Sequence, residues 1–143
     1  MIPTDNDIQN FMLAETEAAK FVVTPNGNGR EGTDYILKTE KGNLYNLYLC
    51  SINLDIERDI KIPKHTLGDL KDDLWIALVV LLKETPTILY LIPSRIFETP
   101  DNRIFFDNEI TVMPNLSNWH IKVFTNAIKE LSQYEIQNIK DKL

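Results

Sequence analysis

The chain has 143 residues, enough for one domain with a substantial core, and its 43% hydrophobic and 25% charged content is that of a folded globular protein. Its 15 basic and 21 acidic residues give a formal net charge of −6, which opposes generic binding to phosphate backbones. One cysteine excludes an intrachain disulfide, and a lone thiol without a basic-then-apolar leader points to a reducing, cytoplasmic compartment with no membrane association.

Apolar residues Ile8, Phe11, Met12, Ala18, Ala19 and Val22 recur at helical spacing after a capping Asp5, so the first element is a helix. At about 100° per residue they form one stripe, with Glu15 in its middle and Glu17 pointing nearly the opposite way. A carboxylate on a buried helix face requires a partner, because burying an unpaired charge is costly. Pro25-Asn26-Gly27-Asn28-Gly29 ends the helix, and the alternating Gly27, Gly29 and Gly32 read as a turn.

A hairpin follows, with strands at Thr33 to Thr39 and Leu44 to Asn53 around Glu40-Lys41-Gly42-Asn43. Ile56 to Ile62 predicts a third strand ended by Pro63. His65 to Asp73 is polar and holds a short helix or a loop. Leu74 to Leu82 is a continuous apolar run, too short to span a bilayer, whose β-branched and aromatic content predicts a fully buried strand. Ile88 to Ile92 is the next strand, and Ile104 to Phe106 a short edge strand. Trp119 to Phe124 fits strand or helix equally, and Ala127, Ile128, Leu131 and Tyr134 mark a closing helix. The expected fold class is α/β (α+β), a single mixed sheet flanked by helices in one domain over residues 1–143.

Several chemistries have no motif here. No Gly-rich loop leads into Lys-Ser/Thr, so there is no phosphate loop. His65, His120 and Cys50 lack the spacing of a zinc site, and neither Ser51 nor Ser94 lies in a nucleophile elbow. Arg58, Lys61, Lys64 and Lys71 lie close in sequence and read as solvated surface charge.

The order of elements carries a resemblance. A helix with an inward Glu, a Gly-x-Asp strand, a hairpin to a second strand and then a buried strand resembles the restriction-endonuclease-like fold, the PD-(D/E)xK superfamily. More narrowly, Asp73-Leu74-Trp75-Ile76-Ala77-Leu78-Val79 followed by Ile88-Leu89-Tyr90-Leu91-Ile92-Pro93-Ser94, with Trp119 and Tyr134 near the end, looks like a group of uncharacterised bacterial proteins of that superfamily. The resemblance implies an Asp opening the first hairpin strand, and an acid or amide with a Lys two residues later on the second strand. It also implies a helical Glu, and Mg²⁺ held by the carboxylates.

Asp34 matches the strand-opening Asp, and Glu15 the helical Glu. Tyr48 stands where the acid or amide belongs, and Cys50 where the Lys belongs. Lys38, two strand steps from Asp34 on the same face, is the nearest replacement cation, with Lys61 and Lys64 as others. The expected protein is therefore a catalytically degenerate nuclease fold, acting as a binding module for a protein or a nucleic acid, with no cofactor. The alternative is an active Mg²⁺-dependent nuclease using Glu15, Asp34 and Lys38, with Glu15 and Asp34 as metal ligands. A third reading is a homodimer-forming structural protein that uses an apolar edge at Ile104-Phe105-Phe106.

Each of these residues also has a plainer role. Asp34 fits a polar loop-to-strand junction, and Glu15 a carboxylate at the edge of a core. Cys50 fits a small buried hydrophobe whose apolar surroundings raise its thiol pKa. Tyr45, Tyr48, Trp75 and Trp119 fit packing anchors, and Pro93-Ser94 a strand end.

Overall fold

The computed structural model describes residues 4–26 and 33–143. The expected turn glycines Gly27, Gly29 and Gly32 lie outside the described residues. Helix α1 spans Asp5–Ala18. Its N-cap is Thr4 rather than Asp5, in a capping box: the Thr4 N–H donates to Asp7 Oδ2 at 2.8 Å, and the Asp7 N–H to Thr4 Oγ1 at 3.2 Å.

The helix does not run on to Val22. Lys20 adopts a left-handed φ of 67°. The Phe21 N–H reaches back to the Thr16 carbonyl at 3.0 Å and the Lys20 N–H to Glu17 at 2.9 Å. These are the two bonds of a Schellman stop, closed here by Lys at a position that favours Gly. Val22 instead opens strand β1, Val22–Pro25, which sequence periodicity missed.

Strands β2 (Tyr35–Lys38) and β3 (Leu44–Asn53) form the expected hairpin. Gly42, at φ +89° with no atom within 4 Å of a built Cβ, supplies the turn's left-handed residue. Strand β4, Asp59–Pro63, starts later than expected, and helix α2, Lys64–Leu67, is one turn long. Strands β5 (Leu74–Leu82) and β6 (Thr85–Pro93) follow. Then come β7 (Phe105–Asn108), β8 (Asn118–Lys122), α3 (Thr125–Leu131) and α4 (Ile136–Ile139).

The mixed α/β class holds, but the strands divide between two sheets instead of one. The central sheet has the order β1-β2-β3-β5-β6 and the second β4-β8-β7. Within the first, β3 and β5 are parallel and every other pair is antiparallel. A parallel neighbour needs a crossover, and this one carries β4 and α2 out to build the second sheet.

Strand β5 explains its own composition. Leu74, Ile76, Leu78 and Val80 enter one core cluster, and Trp75, Ala77 and Val79 the other, so both faces are covered. The first cluster lies under the second sheet and α3, through Ile62, Ile121, Ala127 and Leu131. The second lies under α1 and α4, through Met12, Ile136 and Ile139. The apolar edge expected at Ile104-Phe105-Phe106 is not a surface: Ile104 and Phe105 are buried in the first cluster, and only Phe106 is half-exposed. Tyr90 is also fully buried there, and among the described residues its hydroxyl has no partner.

The β5–β6 turn is the two residues Lys83 and Glu84, both left-handed at φ 52° and 60°. That is a type I′ turn without the Asn or Gly such turns favour. Asp55 compensates: its Oδ1 accepts the Lys83 N–H at 3.0 Å and its Oδ2 the Glu84 N–H at 2.8 Å. Pro86 is tolerated in β6 because the register shifts beside it, leaving Thr87 as a bulge.

Candidate functional site

Strand β3 is shared unequally. Strand β2 pairs with Leu44–Leu47, and β5 with Asn46–Asn53, so the two overlap only at Asn46 and Leu47. Beyond Leu47, no strand of the described residues pairs with β3 on the β2 side. Asp34 stands where β2 leaves. Its N–H donates to the Leu47 carbonyl at 2.8 Å, the last rung of that ladder. Its carboxylate Oδ2 then accepts the next exposed amide, Leu49 N–H, at 2.7 Å.

A cleft of about 380 Å³ opens at this junction. The first turns of α1 give it Asp5, Ile8 and Gln9, and the strands give it Asp34, Cys50 and Ser51. It is therefore bounded by two carboxylates and an open stretch of strand edge. Among the described residues no Lys or Arg lines it.

The electrostatics follow from burial and from Asp34. Burial pushes the Cys50 thiol up to about 12, helped by the Asp34 charge. The thiol is protonated at neutral pH and is no nucleophile. Tyr48 is likewise pushed up to about 12, by burial first and then by Cys50 and Asp34. Both side chains pack against the first core cluster. Tyr35 is raised more gently, by burial and then by Asp34.

The remaining candidates are scattered. Glu15 is half-buried and Glu17 exposed, while the fully buried residues of α1 are Met12 and Thr16. The Thr16 hydroxyl satisfies itself on the Met12 and Leu13 carbonyls at 2.9 and 3.0 Å. Glu15 is absent from the cleft lining and lies ten residues along α1 from Asp5, about 15 Å of helix axis. Lys38 is exposed on the same face of the sheet as Asp34, about 13 Å further along. Lys61 projects from the second sheet, and Lys64 is held by Asp107 and Glu109. Arg58 donates to the Leu54 and Glu57 carbonyls.

As possible charged oxygen ligands the cleft offers the carboxylates of Asp5 and Asp34, with Asp34 Oδ2 on the Leu49 amide. Among the described residues no group of three His, Cys, Asp or Glu side chains is placed to hold a metal ion. His120 pairs with Asp59, Nε2 to Oδ2 at 2.6 Å. Ser94 is buried and locked to the backbone of Lys71, accepting its N–H at 3.2 Å and donating to its carbonyl at 3.0 Å. Trp75 is a buried anchor, its Nε1–H on the Asp72 carbonyl and its ring edge-on to Tyr45.

Sequence reasoning picked out Asp34 but missed Asp5 and Gln9. They belong to the polar start of α1, and only the closing of the β2–β3 hairpin against that helix brings them to Asp34. No helix of the described residues is long and apolar enough to cross a membrane. In comparisons with known proteins, no family model, no curated protein and no solved structure matches the chain.

Proposed function

We propose that this protein is a binding module on a restriction-endonuclease-like scaffold, and that it does not cut phosphodiesters. The observation that carries this reading is the use made of Asp34. The carboxylate that a nuclease would turn on a metal holds the Leu49 amide through one oxygen, while Tyr48 and Cys50 fill the other two positions with groups that stay neutral at pH 7. The cleft's chemistry favours a protein partner over a nucleic acid. Two carboxylates and an open strand edge suit an extended segment carrying a cation, and they repel phosphate.

The test is incubation of the purified protein with plasmid DNA and with structured RNA, in Mg²⁺ and in Mn²⁺. Intact substrates are expected. Metal-dependent cleavage that Asp34→Ala abolishes would overturn the proposal in favour of an active nuclease.

A further inference from the structure

Beyond Leu47, β3 presents a fixed pattern of donors and acceptors. Its even-numbered residues turn their backbone groups to β5. The Asn46 N–H donates to the Asp73 carbonyl at 2.7 Å, and past the strand end the Leu54 N–H donates to the Leu81 carbonyl at 3.0 Å. Its odd-numbered residues therefore face the β2 side. There the Leu49 N–H is held by Asp34, and the Asn53 carbonyl accepts the Ile56 and Glu57 amides at 3.1 and 2.9 Å. Between them stand the Leu49 carbonyl, the Ser51 N–H and carbonyl, and the Asn53 N–H. Among the described residues none of these four groups has a partner.

The four groups select the direction of a strand that adds here. In an antiparallel partner, one residue exchanges both its N–H and its carbonyl with each outward residue of β3. At Leu49 the N–H is already taken, so the carbonyl of such a partner would face the Asp34 carboxylate. In a parallel partner, each bonding residue bridges a carbonyl of β3 and the N–H two residues on. The Leu49 carbonyl with the Ser51 N–H, and the Ser51 carbonyl with the Asn53 N–H, are two such bridges. Neither calls on the Leu49 N–H. Strand β2 already fills the line beside Leu44–Leu47, so a parallel strand in that line begins at Asp34, amino terminus first.

The cleft suits that end of a peptide. Asp5 and Asp34 line it as carboxylates, and among the described residues no Lys or Arg does. Ile8, Gln9 and Leu49 line the same space of about 380 Å³, into which alternate side chains of an added strand can project. Taking the Asp34 cleft as a protein-binding site, as above, we propose that it captures the free amino terminus of an extended peptide. The peptide adds parallel to β3, with its α-ammonium group against Asp5 and Asp34 and its second and fourth residues on the two bridges.

An NMR titration of the amide-labelled full chain tests this. The probe is a mixture of hexapeptides built from Ala, Ser, Thr, Val and Tyr with amidated carboxyl ends, made once with free and once with acetylated amino termini. The free mixture is expected to shift the Ser51 and Asn53 amide signals and to slow their hydrogen exchange. Acetylating the peptides is expected to weaken binding by about tenfold or more, the worth of a charge-assisted hydrogen bond. Asp34→Asn, which keeps an oxygen for the Leu49 amide, is expected to weaken it similarly. No shift at Ser51 and Asn53 with the free mixture would overturn the proposal. So would an acetylated mixture that shifts the same amides as strongly, although the cleft would then remain a peptide site of another kind. If an oligothymidylate shifts those amides and the peptides do not, the protein-binding reading falls as well.

Discussion

Asp55 at the β5–β6 turn and Asp34 at the cleft are exposed aspartates doing similar work with different completeness. Asp55 spends both oxygens, one on each amide of a turn whose residues are left-handed without being Gly or Asn. Nothing is left over, and the site is closed. Asp34 accepts one amide at the point where a strand loses its neighbour, and an open cleft remains beside it. Asp101 extends the series, accepting the amides of Arg103, Ile104 and Phe105, each at 2.9 Å. A carboxylate that holds two or three backbone amides is part of the fold's stability. One that holds a single amide, next to a strand edge that no strand of the described residues pairs, contributes less to it.

Substitutions should separate these roles. The largest effect is expected for Asp101→Ala, about 2–3 kcal/mol by urea denaturation, because three backbone donors lose their acceptor at once. Partial burial pushes the Asp101 carboxyl up, but the three amides and Arg103 outweigh it and hold it below its usual value. Its folded pKa therefore lies below the unfolded one, and its contribution is complete above about pH 4 and lost as pH falls through the folded value. In Asp101→Asn that part of the acid-side loss of stability should disappear.

Asp55→Ala comes next, at about 1–2 kcal/mol, since it frees two amides in an already disfavoured turn. Replacing Lys83-Glu84 by Asn-Gly in that background should recover about 1 kcal/mol, because those residues enter the left-handed region at little cost. If the swap recovers nothing, the clamp on the turn is not what Asp55 contributes. Asp34→Ala should have the smallest effect, below about 1 kcal/mol by the same measurement, as one exposed amide can turn to water. A loss as large as that of Asp101 would place Asp34 among the structural carboxylates and remove the contrast.

Much of the fold was legible along the chain. Strands β3 and β5 begin and end where their apolar runs do, because Gly42-Asn43 and Lys83-Glu84 bound them. Strand β1 was hidden because Val22 continues the helical stripe in register, and Lys20 stops the helix with no glycine to announce it. The second sheet was hidden because the pairing of β4 with β8, nearly 60 residues on, is fixed by packing, not by local pattern. Asp34 was singled out only through the resemblance, which places an Asp at the opening of that strand. Asp55 carried no signal, since the amides it holds lie 28 and 29 residues away.

The divided pairing of β3 has a mechanical consequence. Strand β2 holds its first half, β5 its second, and the two ladders meet over only Asn46 and Leu47. The molecule thus has a seam, along which the amino-terminal meander can open while the β3–β5–β6 core stays zipped. If it opens there as a subglobal unit, the amides of β2 are expected to exchange faster than those of β5, and the Asp34 cleft would be the first to widen.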